Sequence, residues 1–262
     1  MRWSRRSWAV WGVLVCLLCL MSGQPAAAEP ASPSGAPTAE QLLAAMDKNL
    51  TFEARKTRTV MTVEGRRTRS YEMVSYGRGE EDAAMEYVSP ARDKGTRMLK
   101  LGDELWIYLP NVDRVQKISG HMLREGMMGS DVSYEDMMAS RELRKRYNAK
   151  VTGAADLNGR GCWVLELKAK DDSVTYPKRI TYVDKQTYVP VKQELYALSG
   201  MLLKTWTMAD VKEFANGRKF PTKMTIEDHV KKQSLTRIEF KEIEFNVQFP
   251  SEVFSLRWLE RH

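Results

Sequence analysis

Histidines and a single cysteine are the residues in the body of the chain that most often do chemistry. His121, His229 and His262 are far apart, and none has a partner at the spacing of a zinc site or catalytic triad. Cys162 lies beside Trp163 in a predicted strand with no nearby base, so we interpret it as an inert thiol. Phosphate-binding glycine loops, dinucleotide fingerprints and nucleophile elbows are also missing. The sequence therefore predicts a protein that is not an enzyme and uses no cofactor.

Three acidic residues, Asp131, Glu135 and Asp136, lie close enough in sequence to suggest a calcium site. They lack the ligand spacing of a calcium-binding loop. Ser133 followed three residues later by Asp136 is instead typical of a helix N-terminus, where acids also complement the helix dipole. We expect helix capping here and no metal.

Large apolar side chains alternate along several predicted strands. They are Trp106, Tyr108, Trp163, Leu165, Leu167, Trp206 and Met208. An ordinary hydrophobic core would account for this pattern. However, the predicted sheet has little helix to cover it, so a cavity for an apolar ligand is the other interpretation.

Residues 119–138, SGHMLREGMMGSDVSYEDMM, interrupt the strand pattern and contain five of the chain's fifteen methionines. Methionine is unbranched and polarisable, so it repacks around guests of different shape at small cost. We predict that this segment is a lid over the cavity, with Gly120, Gly126 and Gly129 as flexible points and Tyr134 as its anchor.

A helix and a large antiparallel sheet must position these residues. Thr38 and Gln41 have capping-box spacing ahead of an apolar stripe, which predicts a helix over residues 38–50. Beyond it, period-two alternation with turn signals about every ten residues predicts ten or more strands. In residues 238–249 the apolar positions switch from even to odd numbers, so we predict a β-bulge near Lys241 and Glu242.

The N-terminal residues have the features of an export signal. Three arginines precede an uncharged apolar run over residues 9–21, and three alanines at 26–28 suit a cleavage site. We predict a signal peptide over residues 1–28, a disordered leader over residues 29–37 and a single domain over residues 38–262.

Removal of the signal would lower the formal charge from +7 to +4, because three arginines and no acids are lost. Charges of both signs are mixed along the rest of the chain, so we expect no nucleic-acid partner. Cys162 would be the only remaining cysteine, which excludes an intrachain disulfide.

The central block, residues 95–136, resembles the outer-membrane lipoprotein-sorting protein family, distant relatives of the LolA lipoprotein carrier. The matching features are Trp106-x-Tyr108-x-Pro110, Arg114 and the run MGSDVSYED at residues 128–136. The ending FPSEVFSLRWLER also looks like the closing segment of that family. The order of elements is similar over nearly all of the chain after the signal, and the central block is its most specific part.

The resemblance implies a mainly β fold, a half-open antiparallel β-barrel of about 10–12 strands wrapped over the N-terminal helix and a short helical lid. It also implies an apolar cavity that shields acyl chains in the periplasm, and an inner-membrane exporter complex of the resistance-nodulation-division type as a partner. Our leading hypothesis is a monomeric carrier of lipid or lipoprotein acyl chains between envelope membranes. The alternatives are an envelope-stress sensing domain of the same fold and, least supported, a lipid hydrolase.

We expect the cavity and its lid to be lined by apolar, aromatic and methionine side chains. The predicted lipid-binding residues are Leu99, Trp106, Tyr108, Met122, Met127, Met128, Tyr134, Met137, Met138, Trp163, Leu165 and Trp206. The alternation along each strand shows which residues share a face of the sheet, but it does not show which face lines the cavity.

Overall fold

The computed structural model describes residues 35–138, 143–172, 174–231 and 234–260. They belong to one compact unit, Ser32–His262. The predicted signal peptide, most of the predicted leader and His262 lie outside the described residues. Within the described part, no helix is long and apolar enough to cross a membrane.

The first element is helix α1, Ala39–Leu50, as predicted. The Thr38 hydroxyl accepts a hydrogen bond from the Gln41 amide at 3.1 Å, and the Gln41 side chain accepts one from the Thr38 amide at 2.9 Å. This reciprocal capping box satisfies two backbone donors at the helix start. Near the other end, the buried Asn49 donates to the Thr187 carbonyl and accepts from the Lys219 amide, which ties α1 to the sheet.

Thirteen antiparallel strands form a single sheet in the described residues, one more than the upper end of the predicted range. Their bounds are β1 Ala54–Glu64, β2 Arg69–Arg78, β3 Asp82–Ser89, β4 Arg97–Leu101, β5 Glu104–Leu109, β6 Arg114–Ile118, β7 Tyr147–Leu157, β8 Arg160–Ala169, β9 Lys178–Asp184, β10 Pro190–Tyr196, β11 Leu202–Phe214, β12 Arg218–Asp228 and β13 Leu235–Phe245. Short helices follow as α2 Tyr134–Met138, α3 Leu143–Arg146 and α4 Leu256–Leu259, and 3-10 turns include Gly120–Arg124, Met127–Gly129 and Ser251–Phe254.

The strand order is β6-β5-β4-β3-β2-β1-β13-β12-β11-β10-β9-β8-β7. Two meanders, β1–β6 and β7–β13, are joined by the pairing of β1 with β13, while β6 and β7 are the two edges. The sheet is therefore half-open and not a closed barrel, as expected. The connection between β6 and β7 must run from one edge to the other, and it begins with residues 119–138, which we call the strap.

The predicted bulge is present where β1 pairs with β13. Arg58 pairs with Glu242 and Thr59 with Phe240, so Lys241 has no partner opposite it in β1. Because of this extra residue, the apolar side chains after the bulge point to the same face of the sheet as those before it. Phe240 and Phe245 both pack edge-on against Phe220, with ring centres 5.5 and 6.1 Å apart, as residues on one face must.

The two faces of the sheet are covered by different parts of the chain. The inner face packs against α1 and the strap, with Met61, Met73 and Met98 among its buried residues. The outer face of β3–β5 packs against the C-terminal segment, residues 249–259. Arg97 fastens that segment by donating to the carbonyls of Trp258 and Leu259 at 3.1 and 3.3 Å.

Candidate functional site

An apolar cavity of about 400 Å³ lies on the inner face, bounded by α1, the strap and strands of both meanders. Its most frequent lining residue is methionine, contributed by α1, five strands and the strap. These methionines are Met46, Met61, Met73, Met85, Met127, Met137, Met208 and Met224. The volume is within the usual range for pockets that bind small molecules. The methionine-rich composition therefore extends from the strap to the sheet that it covers.

The strands supply these side chains because alternate residues share a face. In β1, Thr57, Thr59 and Met61 all line the cavity, and in β2 Met73 and Ser75 do so. Leu195, Trp206, Phe220, Ile238 and Phe240 complete the apolar wall on the other meander. The Trp206 indole nitrogen is buried without a hydrogen-bond partner within the described part of the chain.

The strap is fastened to the sheet through Asp131, which is fully buried. Its backbone amide donates to the Thr236 hydroxyl at 2.9 Å, and that hydroxyl donates to a carboxylate oxygen of Asp131 at 2.7 Å. Lys231 adds a bond to the Ser130 carbonyl at 2.8 Å. These contacts hold the middle of the strap against β13 and the turn before it.

Two positions of the strap favour glycine, Gly126 because of close packing and Gly129 because of its backbone conformation. A Cβ on Gly126 would lie 2.0 Å from the Ser130 carbonyl oxygen, since the chain folds back on itself through a bridge between Gly126 and Ser133. Gly129 has a φ of +73°, and a Cβ there would meet the Arg69 guanidinium at 2.8 Å. The role of Gly120, Gly126 and Gly129 as flexible points remains a prediction.

Helix α2 begins with the predicted capping pair. The Ser133 amide donates to Asp136 Oδ2 at 2.8 Å, and the Asp136 amide donates to the Ser133 hydroxyl at 3.1 Å. Asp136 also accepts from Lys204 Nζ and from the Tyr176 hydroxyl, each at 2.5 Å. The described residues contain no cluster of three or more histidine, cysteine or acidic side chains able to hold a metal ion.

Asp136, Tyr176 and Arg179 form a polar part of the cavity lining, which we call the polar end. Arg179, from β9, donates through Nε to the Tyr147 hydroxyl at 2.9 Å, and that hydroxyl donates to the Tyr176 carbonyl at 3.1 Å. Burial, and then the negative charge of Asp136, raise the pKa of Tyr176, so its phenol stays a hydrogen-bond donor. The cavity therefore has a long apolar wall and this polar end, with Arg55 as the other charged residue of the lining.

Seven of the predicted lipid-binding residues lie at or next to the cavity. Met127, Met137 and Trp206 line it. Met122, Met128, Tyr134 and Met138 are partly buried and pack against the same hydrophobic cluster of the inner face. Burial raises the pKa of Tyr134. Its role as the anchor of the strap remains a prediction.

The other five predicted residues lie in different clusters. Leu165 and Trp163 pack in the cluster that α1 covers. Leu99, Trp106 and Tyr108 pack on the outer face beneath the C-terminal segment, because alternation in β4 and β5 turns Met98, Leu105 and Ile107 inward instead. The sequence does contain a signal for this outer-face cluster. The C-terminal segment ends in the apolar residues Trp258 and Leu259, which must be buried against another part of the protein.

Sequence reasoning missed the polar end and the methionines of β1–β3. The second group has a recognisable signal, since Met61, Met73 and Met85 occupy inward positions where β-branched residues are usual. The polar end has none, because its residues come from three separate places in the chain: Asp136, Lys204, and the nearby pair Tyr176 and Arg179.

A second, larger depression of about 680 Å³ lies near the turn between β9 and β10. It is lined mainly by charged and polar residues, including Arg160, Asp184, Lys185, Lys212 and Lys219. Burial of acyl chains requires apolar walls, so we assign the candidate site to the methionine-lined cavity.

Of the reactive residues considered at the start, His121, His229 and Cys162 are described, and each has different neighbours. His229 contacts the Thr205 hydroxyl at 2.8 Å, and His121 lies on the exposed side of the strap. Cys162 is buried, its thiol donates to the Arg160 carbonyl, and burial raises its pKa. A thiol in this state is poorly reactive.

Comparisons with known proteins give the fold independent support. A protein-family model described as "Uncharacterized protein" matches residues 79–261. A DUF1329 family protein from Desulfovibrio piger is 23% identical with a TM-score of 0.77, over 84% of this chain and 96% of that one. No curated protein sequence matches the chain.

Two further solved structures are similar. One, from Vibrio parahaemolyticus, is described as an outer membrane lipoprotein-sorting protein domain, and it is 23% identical with a TM-score of 0.75, over 85% of this chain and all of that one. The other is a LolA superfamily protein from Nitrosomonas europaea, 22% identical with a TM-score of 0.70, over 85% and 100% of the two chains. At these identities the likeness establishes a shared fold.

Proposed function

The chain belongs to the protein family whose model matches residues 79–261, and we propose that it is a carrier that binds acyl chains of a lipid or lipoprotein in its cavity. The observation that carries this proposal is the cavity wall of eight methionines together with Trp206, Phe220 and Phe240. The names of two similar structures, one a lipoprotein-sorting domain and one a LolA superfamily protein, support the same ligand class.

Burial of hydrocarbon would supply the affinity. Each methylene removed from water contributes about 0.8 kcal/mol, so even part of a long acyl chain would bind tightly. Methionine side chains adapt to chains of different length and saturation, because they have three rotatable bonds and a polarisable sulfur. A cavity of this composition suits a class of ligands better than one rigid molecule.

Release of so apolar a ligand needs an opening, and we infer that the strap, which bounds the cavity together with α1, is the part that opens. It contributes Met127, Val132 and Met137 to the lining, and it is held by polar contacts from Asp131 and Asp136. Opening would exchange these polar contacts for contacts with water, so the strap would move while the sheet stays intact.

The proposal also covers the cellular compartment and the partner of the carrier. We place the protein in the periplasm, after removal of residues 1–28, with transfer of acyl-bearing molecules between the envelope membranes. An inner-membrane exporter of hydrophobic molecules would be the partner that loads or receives the ligand.

A transfer assay tests the proposal. Donor vesicles containing a pyrene-labelled diacyl lipid are mixed with unlabelled acceptor vesicles, and the fall in excimer fluorescence reports lipid movement. We expect the protein to accelerate transfer in proportion to its concentration. Binding of the lipid without faster transfer would overturn the carrier function and favour the sensing alternative.

A further inference from the structure

Arg179 is held in one orientation at the polar end of the cavity. Its Nε donates to the Tyr147 hydroxyl at 2.9 Å. Its guanidinium carbon lies 5.0 Å from the centre of the Tyr147 ring and 5.4 Å from that of the Tyr176 ring. Two aromatic faces and one hydrogen bond thus fix the guanidinium, which lowers the entropy cost of any further bond that it makes.

The remaining edge of this guanidinium has no partner in the described ranges. Neither Nη atom of Arg179 makes a hydrogen bond there, and no described carboxylate pairs with it. The acid nearest in the network, Asp136, already accepts from Ser133, Tyr176 and Lys204. The positive charge of Arg179 is therefore not neutralised by any described residue.

The positive charge of Arg179 lies in an apolar cavity, which strengthens its interaction with an anion. Charged hydrogen bonds are stronger where water is scarce, and a guanidinium with both Nη atoms available matches the two oxygens of a carboxylate or phosphate. The charged residues of the lining are Arg55, Arg179 and Asp136, and Asp136 is paired with Lys204 outside that set. With Asp136 paired, the part of the lining around Arg179 favours an anion over a neutral or cationic group.

We propose that Arg179 binds the oxyanion head group, a carboxylate or phosphate, of an acidic acyl ligand. The acyl chain extends from β9 across β10–β13 toward Met61 on β1 and Met73 on β2. Five strand spacings separate β9 from β1, which is about 24 Å along the sheet. This proposal rests on the proposed function and specifies its ligand as an acidic amphiphile.

The test compares ligands that differ only in the head group. Dodecanoate, dodecyl phosphate and dodecanol are titrated at pH 8, where the carboxylate is ionised, by displacement of a fluorescent acyl probe. We expect at least one of the two anions to bind about tenfold or more tightly than dodecanol. Equal affinities for all three overturn the assignment of Arg179 while leaving acyl binding intact, and no binding of any of them overturns the proposed function as well.

Two variants test whether the preference for an anionic head group comes from Arg179. Arg179→Gln is expected to abolish the preference for the anion and to leave the dodecanol affinity unchanged. Arg92→Gln is the matched control, since Arg92 lies outside the cavity with its side chain 68% exposed. A preference for the anion that survives in Arg179→Gln contradicts the proposal, and the wild-type comparison remains decisive if that variant does not fold.

Discussion

Asp136 of the strap and Lys204 of β11 form a buried ion pair, with 2.5 Å between Oδ2 and Nζ. Their side chains are 2% and 9% exposed. A buried pair seldom adds much to stability compared with apolar residues, but the loss of one partner is costly because the other charge is then buried alone. The pair therefore acts as a specific fastener between the strap and the sheet.

A double-mutant cycle tests this fastener. Lys204→Met should lower the free energy of unfolding by about 3 kcal/mol, because it leaves the Asp136 carboxylate without its cation. Asp136→Asn should cost a comparable amount, and the double variant should lose clearly less than the sum. Urea unfolding monitored by circular dichroism gives the three values, and simple additivity would refute a coupled pair.

The role of the cavity wall is tested by the same substitution, methionine to aspartate, at one lining residue and at one exposed residue. Met137→Asp places a carboxylate in the lining and should weaken acyl binding about tenfold or more, since burial of a charge beside hydrocarbon is costly. Met201→Asp is the control, because Met201 is 55% exposed in the turn between β10 and β11. Equal binding by both variants in a fluorescent fatty-acid titration would remove Met137 from the ligand site.

Trp206 provides an internal probe of occupancy. We expect ligand binding to change the tryptophan emission of the wild type, and Trp206→Phe to remove most of that change. The variant should remain stable, since the indole nitrogen has no hydrogen-bond partner to lose among the described residues. Trp163→Phe is the comparison, because Trp163 packs in the cluster beneath α1. If the change persists in Trp206→Phe, the ligand lies elsewhere.

The outer-face cluster should support the fold without touching the ligand. Leu99→Ala removes a fully buried side chain from beneath the C-terminal segment and should cost about 2–5 kcal/mol of unfolding free energy. The acyl affinity of the folded fraction should stay within about twofold of the wild type, since the cavity is on the other face. A large loss of affinity in Leu99→Ala would return Leu99 to the binding site.

Local features of the sequence predicted much of this fold. The capping boxes at Thr38 and Ser133 depend on residues three apart, and both are present. The bulge at Lys241 follows from a change of parity, because a strand can bury two sets of residues on one face only with an extra residue between them. Such features are predictable because each is contained within a few residues.

The assignment of faces was not predictable in the same way. In β5, alternate residues share a face, so Trp106 lies on the same face as Tyr108, and Leu105 on the same face as Ile107. Both pairs are apolar. Which group turns inward depends on the C-terminal segment, more than a hundred residues away in sequence, which covers the outer face. The polar end is likewise assembled from distant residues, so no local pattern reveals that Arg179 and Asp136 share a cavity.

Identification of a co-purified ligand tests the central claim most directly. The full chain is expressed in a bacterium with two envelope membranes, purified without detergent, and extracted for lipid mass spectrometry, alongside Met137→Asp prepared identically. We predict acyl-bearing molecules in near-stoichiometric amount from the wild type and a marked reduction from Met137→Asp. A wild-type extract without acyl-bearing molecules, from protein that also fails to bind added fatty acids or lipopeptides, would contradict the carrier function.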